Sequence, residues 1–253
     1  MKPFFGILAY EYRMSIQRKA VLIVTGIFIL AFVLILLSGN VDINDTDLNL
    51  WEDAGSIVFG INIFFPVVAG IIASDRAVRD NKLGVRELLR VTNLKNPAYV
   101  WGKYLGVVLS LATLQFSIVM MYGLTAVLIY HFTPMYLLYL LAASSLINLP
   151  GLFFITAFSL ACPLIMPVRV YQILFTGYWY WGNFLNPEFI PTIADTLLNA
   201  AGKYAASAYF GFYFGAAQTA SSTALANIGV LLLCATAALV VMERYITWRE
   251  NAG

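Results

Sequence analysis

The residues of this 253-residue chain that could do chemistry are few, and the most regularly spaced of them are basic. Arg79, Lys82, Arg86 and Arg90 recur every three or four residues, so a helix would align them along one side. The surrounding stretch, residues 75–103, carries seven Lys or Arg side chains against three Asp or Glu. Such a stripe is typical of a surface that binds an acidic partner or anionic lipid.

Signatures of catalysis and of metal binding are absent from the sequence. Cys162 and Cys234 lie far apart in apolar runs, without a CxxC or metal-ligand spacing, so we interpret both as buried hydrophobes. His131, the only histidine, has no carboxylate or cysteine close to it in sequence. Gly102-Lys103 lacks the upstream glycine and the following Ser or Thr of a P-loop, and the apolar runs hold no Ser-His-Asp set. We therefore predict that the chain is not an enzyme and has no metal or cofactor of its own.

The composition predicts a membrane protein. Hydrophobic residues make up 61% of the chain and charged residues only 11%, whereas about 25% of a soluble domain is charged. Several uninterrupted apolar runs reach about 20 residues, the length that a helix needs to cross a hydrocarbon core of about 30 Å. We expect one all-α integral membrane domain over residues 1–253.

Six transmembrane helices account for the apolar runs. Pro150-Gly151 lies near the middle of the fourth run, which we interpret as one kinked helix because each half is too short to cross alone. The aromatic run Tyr178–Trp181 is typical of a membrane interface. Residues 186–221 are weakly charged, and we expect two short helices there that lie at, or dip into, the outer leaflet. The predicted spans are 20–38, 56–74, 104–130, 136–162, 170–185 and 222–242.

The distribution of charge predicts the orientation. Residues 39–55 hold five acidic side chains and no basic one, whereas the N-terminal 19 residues and residues 75–103 are basic. Because basic loops stay in the cytoplasm, both termini and residues 75–103 are predicted to be cytoplasmic.

The basic stretch itself has an amphipathic pattern. If Val78–Thr92 is helical, Leu88 and Leu89 lie on its apolar side, while Asp80 and Glu87 lie on the opposite side. Asn96-Pro97 then predicts a helix that has Asn96 as N-cap and proline as its first residue. A helix that only faces anionic lipid would show the same pattern.

The residues of this stretch also carry a family resemblance. The order Gly84, Glu87-Leu88-Leu89, a proline, then Tyr99-Val-Trp-Gly102-Lys103 at the start of the third span resembles the first cytoplasmic loop of bacterial ABC-2 type transporter permeases. Residues 4–19, with Phe5, Leu8, Tyr12 and Ile16 on one face, resemble the interface helix of that family. In that family the loop after the second span docks on a partner ATPase. The resemblance implies these coupling residues: Arg79, Lys82, Leu83, Arg86, Glu87, Leu88, Leu89 and Arg90.

The resemblance implies the permease subunit of an ATP-binding cassette exporter in the bacterial plasma membrane. ATP and Mg²⁺ would bind to a separate ATPase subunit, and a second permease would complete a homodimer or a heterodimer. The cargo would be hydrophobic or amphipathic, such as a peptide, an antimicrobial or a lipid-like molecule, and no nucleic-acid partner is expected.

The polar residues within the spans leave two interpretations open. They line a path for the substrate, or they form hydrogen bonds between helices. The centres of all six predicted spans lack Asp, Glu, Lys and Arg, which argues against the main rival, an ion-coupled carrier or channel. A non-transporting scaffold or sensor of an immunity complex is the second rival. The polar residues concerned are Asn62, Gln115, Asn148, Gln172 and Asn227.

Overall fold

The structure is a computed structural model that describes residues 2–38, 49–82, 95–214 and 218–251. Within these ranges the chain forms helices and turns but no β-strand, as the sequence predicts. Two π-helical turns interrupt the α-helices, the first at Ser144–Asn148 and the second at Tyr178–Gly182. The α-helices are α1 (Lys2–Ile16), α2 (Lys19–Leu37), α3 (Leu50–Lys82), α4 (Asn96–Tyr130), α5 (Met135–Ala143), α6 (Leu149–Ala161), α7 (Val168–Gly177), α8 (Lys203–Phe210) and α9 (Ser221–Asn251).

Four helical stretches in the described chain are long and apolar enough to cross a membrane. The bent pair α1 and α2, whose axes differ by 59°, makes a fifth if the two helices form one span. The architecture is therefore that of a multi-pass helical membrane protein with four or five candidate spans. The four stretches are Leu50–Asp80, Asn96–Tyr130, Met135–Leu164 and Ser221–Asn251.

Apolar side chains on α2 and α9 point away from the protein. On α2, Ile23 and Ile27 are 62% and 60% exposed, and on α9 Leu233 is 71% exposed. Water would penalise such continuous apolar surface, whereas lipid chains solvate it without cost. These two helices therefore form apolar outer faces around the buried helices α3, α4 and α6.

The fourth predicted span is a single helical stretch, Met135–Leu164, which packs against α4. His131, in the left-handed conformation with φ of 58°, ends α4. The stretch departs from α-helical geometry just before Pro150, at the first π turn. The reason is that proline has no N–H to donate to the carbonyl four residues earlier. A Cβ on Gly123 would lie 2.5 Å from Leu140, so glycine lets α4 and α5 approach closely.

The fifth predicted span, 170–185, is short in the structure. α7 and the second π turn cover residues 168–182, a stretch that is not among the four long candidate spans. The aromatic run is not exposed throughout, which corrects the prediction for Trp179. Trp179 is fully buried and donates a 2.8 Å hydrogen bond to the Ile63 carbonyl, whereas Trp181 is 52% exposed. A run of four aromatic residues on a helix faces all directions, so one of them enters the core.

Two boundaries differ from the predictions around the basic stretch. α3 continues to Lys82, so the predicted loop starts two turns inside a helix. Lys95, not Asn96, is the N-cap of α4; the Asn96 amide instead donates to Glu250 of α9 at 2.7 Å. Residues 83–94 lie outside the described chain, and so do six of the predicted coupling residues: Leu83, Arg86, Glu87, Leu88, Leu89 and Arg90.

Residues 186–221 also differ from the prediction of two short helices. The described part contains one helix of eight residues, α8, and residues 186–202 form turns and irregular backbone. Asn199 and Ala200 in this segment are fully buried. We call residues 186–202 the inserted segment.

The packing of α1 against α4 predicts the effect of a small substitution. In Gly106→Ala, the new Cβ would lie 2.7 Å from the Leu8 carbonyl oxygen and 2.8 Å from Glu11 Cβ. We expect a loss of about 1–3 kcal/mol, because backbone must move to make room. Thermal unfolding in detergent measures it. Gly229→Ala, where a Cβ meets nothing within 4 Å, is the control; an equal loss there would contradict the packing argument.

Candidate functional site

A buried cluster of charged residues lies where α1, the end of α3 and the start of α4 meet. Lys103 of α4 is fully buried, and its Nζ is 2.6 Å from Glu11 Oε1 of α1 and 2.7 Å from Asp80 Oδ2 of α3. Tyr99, one turn before Lys103, donates a 2.6 Å hydrogen bond to the same Asp80 oxygen. One ammonium group therefore joins three helices. We call Glu11, Arg76, Asp80, Tyr99 and Lys103 the basal cluster.

Local sequence brings these groups together. Gly102 and Gly106, one turn apart on α4, leave room for the α1 backbone, whose Phe4 and Leu8 carbonyl oxygens would meet their Cβ atoms at 3.2 and 2.7 Å. That close approach places Glu11 beside Lys103. Buried charges are tolerated when they are paired and hydrogen-bonded, and removing one partner leaves the others uncompensated.

Arg76 is the least satisfied member of the basal cluster. It is 1% exposed, and none of its three guanidinium nitrogens has a hydrogen-bond partner among the described residues. Glu11 Oε2 and Ser15 Oγ on α1 are also buried without such a partner. Arg18 and Asp75 form a looser ion pair, 3.6 Å apart, in which Asp75 is half-exposed. The cluster thus changes from tightly paired at Lys103 to loosely paired around Arg76.

The basal cluster holds both ends of the predicted coupling segment. Asp80 lies two residues before the end of α3, and Lys103 lies two turns after the start of α4. Among the predicted coupling residues, Arg79 is exposed on the last turns of α3, and the backbone of Lys82 ends that helix. The sequence interpretation placed Asp80 on the side away from the apolar face; in the structure it is buried against Lys103.

Three of the five polar residues predicted along a substrate path have partners. Asn62 donates to the Ala201 carbonyl at 2.8 Å, and Asn227 donates to the Leu197 and Asn199 carbonyls at 2.8 and 2.9 Å. Gln172 donates to Ser74 Oγ at 3.0 Å. These three residues therefore agree with the alternative interpretation, in which the polar side chains form hydrogen bonds between helices or segments.

Gln115 and Asn148 differ from those three. Gln115 is 2% and Asn148 is 1% exposed. The Gln115 amide nitrogen and both polar atoms of the Asn148 side chain have no hydrogen-bond partner among the described residues. Each such atom costs about 1–3 kcal/mol when it is buried unpaired. These two residues remain candidates for contact with a bound molecule.

Asparagine side chains hold the inserted segment in place. Asn183 Oδ1 accepts the Ala200 N–H at 2.8 Å, and Asn199 Nδ2 donates to the Asn183 and Ala194 carbonyls at 3.1 and 3.0 Å. Gly151 of α6 lets the segment approach, since a Cβ there would lie 2.3 Å from the Ala200 oxygen. Irregular backbone inside a membrane protein persists only when its polar groups are satisfied in this way.

The basal cluster predicts a large stability loss when its cation is removed. Lys103→Met leaves Glu11 and Asp80 buried without the ammonium group that pairs with both, which should cost about 3–5 kcal/mol. Thermal unfolding in detergent measures this loss of stability. Arg18→Met, which breaks the half-exposed Arg18–Asp75 pair, is the control and should cost at most about 1 kcal/mol. Adding Glu11→Gln and Asp80→Asn to Lys103→Met should recover part of the loss. Equal effects of the two single substitutions would show that Lys103 is not the central cation.

The inserted segment predicts a local effect. Asn199→Ala removes hydrogen bonds to two carbonyls and the acceptor of the Ala201 N–H, which is 3.0 Å from Asn199 Oδ1. We expect faster hydrogen–deuterium exchange across residues 186–202, because several buried polar groups lose partners at about 1–3 kcal/mol each. Asn186→Ala is the control, since the Asn186 side chain is exposed and its described hydrogen bonds are with nearby Glu188. Unchanged exchange in Asn199→Ala would contradict the assignment.

Comparisons of the chain with protein-family models and with curated protein sequences found no match in either. The resemblance to ABC-2 permeases therefore stands on the residues of this chain alone.

Proposed function

We propose that this chain is the permease subunit of an ATP-driven exporter, which moves a hydrophobic or amphipathic substrate outward and is driven by a separate ATPase subunit. The observation that carries the proposal is the basal cluster. It ties the two helices that flank the basic segment to each other and to α1 through one buried ammonium group.

These ion pairs would transmit a displacement of one helix to the other two. A force on residues 83–94 acts on the end of α3 and the start of α4, and Lys103 transmits any displacement of either helix to α1. Separating the ion pairs would leave charged groups buried without a partner, which is strongly unfavourable. In the proposed mechanism the three helix ends therefore move as one unit. Asn96 extends the unit to α9 through its 2.7 Å hydrogen bond to Glu250.

The distribution of charge favours an external energy source. Residues 104–130 and 135–166, which cover most of α4 and all of α5 and α6, contain no Asp, Glu, Lys or Arg. Ion-coupled carriers usually hold an ionisable residue near the membrane midplane. ATP hydrolysis on a partner subunit supplies the energy in the proposed mechanism.

The proposed topology has six spans with both termini in the cytoplasm of a bacterium. The spans are α2, α3, α4, α5 with α6, α7 with the second π turn, and α9, and α1 lies along the inner surface. The inserted segment and α8 enter from the outer side. A second permease chain, identical or different, completes the transporter.

Substitutions in the basic segment test the coupling role. Arg86→Glu and Glu87→Ala should abolish most of the substrate-stimulated ATPase activity of the reconstituted complex, because a loss of about 2 kcal/mol in docking weakens binding about 30-fold. Arg169→Glu, an exposed arginine at the start of α7, is the matched control and should retain the stimulation.

The outcomes separate the candidate functions. Wild-type stimulation in Arg86→Glu and Glu87→Ala would refute the coupling assignment. Transport by proteoliposomes that contain this chain without any ATPase would identify a secondary carrier or a channel. A stable complex with an ATPase that moves no substrate would identify a scaffold or sensor.

A further inference from the structure

We propose that a cavity between α6 and α7 holds one acyl chain of a resident membrane lipid. The cavity has a volume of about 300 Å³ and is lined by side chains of both helices and of the turn between them. The proposal goes beyond the proposed function, because this lipid packs between two helices and is not the cargo. It requires only that the protein lies in a membrane.

The cavity exists because α7 packs mainly against α3 rather than against α6. The Phe175 ring lies on Gly70 of α3, where a Cβ would come within 2.2 Å of the ring. Gln172 donates a 3.0 Å hydrogen bond to Ser74 Oγ, also on α3. These contacts hold α7 on α3 and leave a gap beside α6, although only residues 162–167 connect the two helices.

The two walls of the cavity are aromatic, and their rings do not meet. On α6, the Phe154 and Phe158 rings lie 4.7 Å apart. On α7, the Tyr171 ring stacks on Phe175 at 5.7 Å. Among these described residues, no ring contact crosses from one wall to the other. An empty gap loses the dispersion contacts that such walls can make, so an apolar occupant is favoured.

The polar groups of the lining select an uncharged molecule with one hydrogen-bond acceptor. None of the described lining residues is charged. The Tyr171 hydroxyl is already hydrogen-bonded to the Ser159 hydroxyl at 2.8 Å. The Tyr178 hydroxyl is buried and has no hydrogen-bond partner among the described residues. A lipid supplies an apolar chain for the walls and an ester carbonyl that accepts from Tyr178.

The cavity opens onto the apolar outer surface of the protein. Leu174 belongs to the lining and is 58% exposed, and Ile173 and Ile165 beside it are exposed as well. In a membrane, acyl chains solvate such a surface, whereas a charged ligand would have to cross hydrocarbon to reach the opening. The acyl chain of a bilayer lipid therefore has direct access to the cavity. It gives α7 the side contact that α6 does not provide.

Protection of a cysteine tests the site. Cys162 lines the cavity, whereas Cys234, the other cysteine of the chain, is not among the described lining residues. Each thiol is measured alone, in full chains that carry Cys234→Ala or Cys162→Ala. The chains are purified in digitonin, a detergent without a linear alkyl chain, and treated with N-ethylmaleimide. Dioleoylphosphatidylcholine at about ten times its dissociation constant should slow the alkylation of Cys162 about ten-fold and leave that of Cys234 unchanged.

The lipid itself can be varied to separate its chain from its headgroup. Dioleoylphosphatidylglycerol should protect Cys162 as well as dioleoylphosphatidylcholine does, because no charge lines the cavity among the described residues. Diphytanoylphosphatidylcholine should protect less, because the methyl branches widen its chains.

Substitutions in the lining check the residues. Leu174→Trp places a large ring at the opening and should remove most of the protection of Cys162. Ile173→Trp, at the adjacent exposed position that does not line the cavity, is the matched control and should keep it. Tyr178→Phe should weaken lipid binding about two- to ten-fold, because it removes the hydroxyl that donates to the ester.

The opposite results would overturn the proposal. These are unslowed alkylation of Cys162 in the presence of lipid, equal protection in Leu174→Trp, unchanged affinity in Tyr178→Phe, or a strong preference for one headgroup. Alkylation of Cys162 that slows with protein concentration in the absence of lipid would show that a second copy of the chain fills the cavity. The test needs no ATPase, so its outcome is separate from that of the proposed function.

Discussion

One ammonium group, Lys103 Nζ, holds together the end of the molecule where α1, α3 and α4 meet. It is shared by Glu11 and Asp80 at 2.6 and 2.7 Å and is shielded from solvent. Glu11 reaches Lys103 because Gly102 and Gly106 on α4 admit the α1 backbone, whereas Asp80 comes from α3. Packing and charge pairing are therefore mutually dependent: without the close approach the charges would be unpaired, and without the pair the approach would bury uncompensated charge.

The remainder of the fold follows from the absence of water around the spans. Apolar side chains of α2 and α9 face outward, whereas polar backbone that leaves helical geometry must find partners inside the protein. Asn183, Asn199 and Asn227 supply those partners for the inserted segment. Polar residues that are satisfied hold the structure. Gln115 and Asn148 instead carry buried polar atoms that have no hydrogen-bond partner among the described residues.

Helix α4 carries both Lys103 of the basal cluster and the buried Gln115. Lys103 and Gln115 are twelve residues apart on it, a distance of about 18 Å along a continuous helix. A displacement at the basal cluster is therefore carried along a continuous helix towards Gln115. In the proposed mechanism the ATPase would act near the basal-cluster end of α4.

The sequence by itself determined the helical membrane class, the single long stretch around Pro150 and the N-terminal helix, because apolar length and helical periodicity are local properties of the chain. The predicted six spans and coupling residues stay predictions. Only the tertiary structure decided that Lys103 pairs with Glu11, 92 residues away, that Trp179 enters the core, and that Asn62 anchors a distant segment. Those outcomes depend on which helices touch, and local pattern does not encode contacts between distant segments.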